Sequence, residues 1–185
     1  MRHSREEKAK THARIVDVAA RRIREQGIDR PGVAEIMEAA GLTHGGFYKH
    51  FASRDDLIAE ATEEALNRSD RRLHELTDDA DEPLAAFADW YLSAEHRDAP
   101  GAGCAVAALA DDVGRGNDRL RSAYRRQLER YIENLEGFLG GGEEARERAI
   151  LVFSALVGGL VLSRAVDDPA LSDEILRAVR ESRGS

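Results

Sequence analysis

Residues 33–57, VAEIMEAAGLTHGGFYKHFASRDDL, limit what this chain can fold into more than any other stretch. Two short helices joined by a tight turn fit it. One covers residues 33–40 and is stopped by Gly41; the second is capped by Thr43 and reaches His50. Ile36, Met37, Ala40, Leu42, Phe47 and Phe51 are spaced to share a small core with the helix before them. That core would hold the second short helix as a rigid probe, the arrangement of a helix-turn-helix entering the DNA major groove.

The remaining pattern is also helical. A first helix is expected over 5–26, with Ile15, Val18, Ala19 and Ile23 on one face and Gly27 as its stop. Ser53 caps a fourth, with Asp55 and Asp56 in its first turn, running to about Leu76. Residues 78–83 break it. A fifth helix is expected over 84–95, a loop over 96–103, a sixth helix over 104–113 and a seventh from Asn117 to Leu139. After the glycine break at 140–142, an eighth covers 143–166, Pro169 marks a turn, and Ser172 caps a ninth to Arg180. Only four prolines occur and no stretch reads as a strand. The expectation is an all-α chain of about nine helices, with residues 1–56 as a helix-turn-helix head and 57–185 as a helical body. A length of 185 residues suits a small unit joined to a medium one.

A net charge of −8 argues, taken alone, against a nucleic-acid partner. Its distribution argues the other way. Residues 1–56 carry 11 Lys and Arg against 9 Asp and Glu, with four of the six histidines; residues 57–185 carry 16 against 26. A basic end on an acidic body is expected where only one end meets phosphates. The charged amino terminus predicts no signal peptide. The apolar run 149–163, ended by Arg164, falls short of the roughly 18–20 residues of a membrane span, which predicts a buried helix and no membrane partner. A single cysteine leaves no internal disulfide and suits a reducing cytoplasm.

Gly45 and Gly46 each cost a helix about 1 kcal/mol relative to alanine. Such a cost is tolerated where a helix surface must lie very close to a partner. Tyr48, Lys49 and His50 offer a hydroxyl, a cation and an imidazole within one turn, suited to phosphate oxygens. The Thr43 hydroxyl and the amides of the helix start suit another. The alternative, a helical hairpin inside a bundle, accounts for Phe47 and Phe51 as core, but an adjacent polar triad is hard to bury unpaired.

The run GLTHGGFYKHFASRDDL resembles the helix-turn-helix signature of the tetracycline-repressor (TetR) family, with its aromatic–Tyr–x–His–Phe sequence and a capped helix after it. The resemblance covers residues 10–60 and continues as a matching length and helix count. It implies that Thr43, Gly45, Tyr48, Lys49 and His50 contact DNA, that His44 faces the bases, and that Arg54 reaches a phosphate. One departure is visible: many members open the second helix with a Thr-Ser or Thr-Thr pair. Here Pro31-Gly32 stands there, leaving Arg30 and the free amides beside Gly32 as substitutes.

The resemblance further implies a homodimer in which the last two helices pack against their copies, a symmetry that matches palindromic half-sites. The eighth helix is apolar around most of its circumference, and Gly158 and Gly159 allow close approach. Phe153, Leu156, Val157, Gly158, Leu160, Val161, Leu176 and Val179 are the expected interface. His74, Phe87, Trp90, Tyr91, Cys104, Tyr124, Tyr131 and Phe153 lie on helices that surround the effector cavity in the family. Apolar walls with a few polar handles suit a small-molecule ligand, although ordinary core packing accounts for each residue singly. Cys104 opens the sixth helix, whose dipole favours a thiolate, and glycines before it leave room for an electrophile or oxidant, as in some relatives. A buried small residue is the alternative.

The expected function is a repressor that binds double-stranded operator DNA and is released by a small-molecule effector. An activator, a non-specific DNA-coating dimer and a small helical enzyme are the alternatives. The sequence has no GxSxG, HExxH, Walker or dinucleotide fingerprint and no cysteine pair for a metal, so no enzyme activity, metal or cofactor is expected.

Overall fold

The computed structural model describes residues 2–182; residues 1 and 183–185, the outer ends of the two expected parts, lie outside them. Among the described residues the chain is all-α, with no strand. In chain order the helices are α1 (Arg2–Gln26), α2 (Val33–Ala39), α3 (Arg54–Thr77), α4 (Pro83–Tyr91), α5 (Ala94–Asp98), α6 (Ala105–Arg115), α7 (Asp118–Phe138), α8 (Ala145–Ala165) and α9 (Pro169–Ser182). Two 3-10 turns, His44–Lys49 and Pro100–Ala102, complete it.

Local chemistry accounts for the breaks. Gly27 ends α1 at a φ of +86°, a conformation that favours glycine. The Ser53 hydroxyl accepts from the Asp56 amide at 3.1 Å and opens α3. Asn117 does the same for α7 through the Leu120 amide. The long α3 packs against α1 on one side and α7 on the other, and one apolar cluster runs unbroken from Ile15 to Leu176. The boundary expected after residue 56 therefore falls inside α3. Head and body share a helix and a core.

Three expected elements differ. The fifth helix stops at Tyr91, because the Ser93 hydroxyl donates to the Trp90 carbonyl at 2.7 Å and accepts from the His96 amide at 3.1 Å, which restarts the chain as α5. The last helix begins at Pro169, not after Ser172. Asp168 accepts from the amides of Ala170 and Leu171, proline fits the first helical position, and the Ser172 hydroxyl donates inward to the Ser163 carbonyl. The probe segment 44–49 is a 3-10 turn and not an α-helix, in keeping with the low α-helical propensity of Gly45-Gly46.

The eighth helix also departs from expectation. Over 18 residues its mean hydropathy is 1.6, so by length and composition it is apolar enough to cross a membrane, yet only a third of that window is buried in the chain. It packs between α7 and α9 and leaves the rest of its apolar surface exposed.

Candidate nucleic-acid interface

The head is built outward from two stacked phenylalanines. Phe47 and Phe51 are buried with ring centroids 5.5 Å apart, and the His12 ring of α1 stacks on Phe51 at 4.5 Å. His12 Nε2 lies 2.6 Å from Glu60 of α3, so α1, the 3-10 turn and α3 meet at one point. Met37 and Ile36 close the core from α2. With Phe47 pulled inward, the rest of the turn must face out: Thr43, His44, Gly45, Tyr48 and Lys49 are all exposed. Tyr48 is 74% exposed, edge-on to Phe47 at 5.2 Å.

In a 3-10 turn residues three apart lie above one another, so Gly45 sits directly before Tyr48. A Cβ at Gly45 would meet nothing within 4 Å, and its φ is not positive. The isolated chain thus gives no steric reason for glycine there. At Gly46 a Cβ would make ordinary contact with Met37 at 3.5 Å, so the core does not require glycine there either.

His50 is half-buried, and its Nδ1 is sealed without a partner among the described residues. Desolvation lowers its pKa below the usual histidine value, with the charges of His12, Lys8 and Lys49 acting in the same direction. Lys49 and His50 line a cavity of about 510 Å³ with Glu7, Lys8 and Thr11 of α1. The α1 residues were missed from sequence; the pair Lys8 and Lys10 in the first helix was the available signal.

Arg30 and Gly32 are exposed before α2, and Gly32 caps α2 without a side-chain hydrogen bond, as the Pro31-Gly32 departure implied. Arg54 is turned inward: Nη2 donates to the carbonyls of Ile28 at 2.6 Å, Asp29 at 3.1 Å and Pro31 at 3.4 Å. In the DNA-free chain this Nη2 is a clamp on the α1–α2 loop. From the opposite side Asp112 of α6 accepts from the Ile28 amide at 2.9 Å.

The structure brings most of the expected effector residues together as packed side chains. Phe87, Tyr91, Tyr131 and Phe153 are buried against each other, with centroids 4.7 Å apart for Tyr131 and Phe153 and 5.3 Å for Phe87 and Tyr91. Cys104 is 1% exposed with its thiol 3.9 Å from the Tyr131 hydroxyl, so the glycines before it give no open path to the sulfur. The Tyr131 hydroxyl donates to the Ser69 carbonyl, and half-buried Tyr124 donates to that of Val106. Trp90 lies at the edge, stacked on His96 at 4.2 Å under the Arg72 guanidinium. His74 stands apart at the surface, bonded to Asp78.

His96 is a buried junction. Its Nδ1 lies 2.8 Å from the Tyr91 carbonyl, which can only accept, so Nδ1 carries the proton and Nε2 accepts from the Cys104 amide at 2.9 Å. Desolvation pushes its pKa down to about 4.

Four expected interface residues, Phe153, Leu156, Leu160 and Leu176, are core residues of the single chain at 3% exposure or less. Val157, Gly158 and Val179 are half-buried, and Val161 is exposed. The two glycines diverge. Gly159 faces inward, where a Cβ would crowd Val179 and Leu92; a Cβ at Gly158 would meet nothing. Gly158 belongs to an outer stripe with Leu151, Ala155 and Leu162, at helical spacing and unforeseen from sequence except for its glycine.

Residues 15–61 match the family described as bacterial regulatory proteins, tetR family. Over most of its length the chain is similar to a helix-turn-helix-type transcriptional regulator of Mycobacterium tuberculosis, 29% identical over 181 residues, 90% of this chain and 91% of that one. Similarity to the regulator AcrR of Shigella flexneri is higher and more local, at 39% over 62 residues, 34% of this chain and 29% of the relative. A TetR transcriptional regulator from Chloroflexus aurantiacus has the same fold, with a TM-score of 0.83 over 97% of each chain at 20% identity.

Proposed function

We propose that the chain is a transcriptional regulator of the TetR family, a cytoplasmic repressor that binds palindromic operator DNA as a homodimer and is released by a small molecule. It is a regulator and not an enzyme. The observation that carries the proposal is the exposed edge of the 3-10 turn, Thr43 to Lys49, held rigid by Phe47 beneath it. His44 faces base edges; Thr43, Tyr48 and Lys49 hold phosphates; Gly45 lets the backbone approach closely. Arg30 and the amides after Gly32 take the phosphate at the start of α2. Lys8 extends the basic surface on the α1 side, next to His50.

The outer stripe of α8 supports the dimer. Leu151 and Leu162 are 63% and 57% exposed, Ile150 and Val161 more than 40%, and Gly158 between them leaves room for a crossing helix. Leu151→Asp with Leu162→Asp gives a folded monomer by sedimentation; a dimer that survives both removes this face from the interface.

Selection from a random pool of DNA duplexes at physiological salt tests the whole reading. A palindrome enriched by the wild type supports it. Salt-sensitive binding without sequence preference, in a folded dimer, reduces the protein to a DNA coat.

A further inference from the structure

Arg24 lies in the last turn of α1 and is only 6% exposed. Among the described residues its guanidinium makes no hydrogen bond or ion pair, and its Nε is sealed from solvent without an acceptor. The nearby carboxylates are committed elsewhere: Asp17 to Arg68, and Glu25 to Arg21 and Arg22. Burial, with the Arg68 charge acting the same way and the Asp17 and Glu25 charges opposing, lowers the Arg24 pKa to about 10, so the group is still a cation at neutral pH. The negative end of the α1 dipole offsets part of the cost but supplies no partner. A buried, unmatched cation is expensive, and proteins keep few of them without a use.

Arg24 lines a cleft of about 610 Å³, a volume usual for small-molecule sites, between the end of α1, the α5–α6 connection and the α8–α9 turn. Two more arginines line it. Arg97 is matched, by Asp98 at 2.7 Å and Asp173 at 2.6 Å. Arg164 of α8 is not: Nε and Nη2 donate to the carbonyls of Arg97 and His96, and no described carboxylate lies within ion-pair distance. Of the lining acids, Glu25 and Asp98 are already paired and Asp167 sits on the exposed rim. Ala107, Ala108, Val161 and Pro169 give the cleft apolar walls.

We propose that this cleft binds a small organic carboxylate, with Arg24 as the anchoring cation, Arg164 as the second, and the apolar walls holding the body of the ligand. A planar guanidinium meets a carboxylate through two parallel hydrogen bonds, which is the contact Arg24 lacks. The walls come from α1 of the head and from α6, α8 and the α8–α9 turn of the body, so a bound anion ties the two together. That last consequence rests on the regulator reading above; the binding itself does not.

The test uses the full chain without DNA and sodium benzoate as probe, with neutral benzamide as its isostere and ionic strength held constant. Benzoate raises the melting temperature in a dose-dependent way and titrates by calorimetry, whereas benzamide does neither. Arg24→Met weakens benzoate binding at least tenfold, Arg164→Met weakens it less, and Arg126→Met on the far helix leaves it unchanged. Arg24→Lys keeps the charge and part of the binding, and serves if the methionine variant fails to fold. Equal responses to benzoate and benzamide, or full binding by a folded Arg24→Met, overturn the proposal. A response to inorganic phosphate alone overturns the carboxylate assignment. Loss of self-association in either Arg24 variant, with no benzoate response in the wild type, assigns the cleft to the partner copy and overturns it too. Benzoate binding with unchanged operator affinity keeps the site and removes only its coupling to DNA.

Discussion

The molecule has two aromatic clusters, and they end differently. In the head, Phe47, Phe51 and His12 stack in a row whose outer end carries exposed Tyr48 and Lys49. In the body, Phe87, Tyr91, Tyr131 and Phe153 close on one another, with Cys104 sealed beside them. The first cluster is a pedestal; the second is a plug. The difference teaches where chemistry can be read from sequence. A pedestal exposes whatever residues adjoin it in the chain, so its surface follows from local order. A plug and a pocket use the same residue types, and only long-range packing separates them.

The largest expected effect tests the plug. Phe153→Ala should lower stability by about 3–5 kcal/mol in urea unfolding, the usual cost of removing a close-packed ring. A loss below about 1 kcal/mol would mean that the ring lines a void, turning the plug back into a pocket.

Acidification comes next, through His96 beside the plug. Its folded pKa of about 4 lies below the unfolded value near 6.5, so the unfolded chain binds more protons between those limits. The stability gained from the neutral ring is complete above about pH 6.5 and is lost as pH falls toward 4. The loss should be on the order of 3 kcal/mol. His96→Gln should be less stable at neutral pH and show a flatter profile from thermal melts; an unchanged profile would place the titration elsewhere.

Changes on the pedestal should do the opposite, sparing stability and costing DNA affinity. Lys49→Ala should weaken binding about tenfold on all sequences and flatten the logarithmic salt dependence by about one unit. Its unfolding free energy should stay within about 0.5 kcal/mol of the wild type. A large stability loss would mean that Lys49 is structural and that the comparison fails.

The smallest effect is expected at Tyr91, whose buried hydroxyl has no oxygen or nitrogen partner among the described residues and faces the Cys104 thiol. Tyr91→Phe should change stability by less than about 1 kcal/mol in either direction, since no strong hydrogen bond is lost.

The head was legible in the sequence because its core is local: Ile36, Met37, Phe47 and Phe51 lie within sixteen positions and are buried together, as their spacing requires. The inward turn of Arg54 was not legible, since its three carbonyl partners belong to a loop more than twenty residues away. Nor could α8 show which of its apolar sides faces the chain. Leu156 and Leu160 look no different in sequence from Leu151 and Leu162, yet the first two are core and the last two are bare. Arg24 is not legible as a site because a lone arginine near a helix end reads as solvated surface; its isolation comes from α6 and the 3-10 turn at Pro100, far along the chain.

The paired hold on Ile28 has a practical consequence. Its amide is fastened by the body through Asp112 and its carbonyl by α3 through Arg54, so one peptide unit on each side of this residue spans the seam. Hydrogen exchange at that single amide therefore acts as a gauge. It is slow while the seam is shut, accelerates when the head swings free, and can be followed in solution with no DNA present.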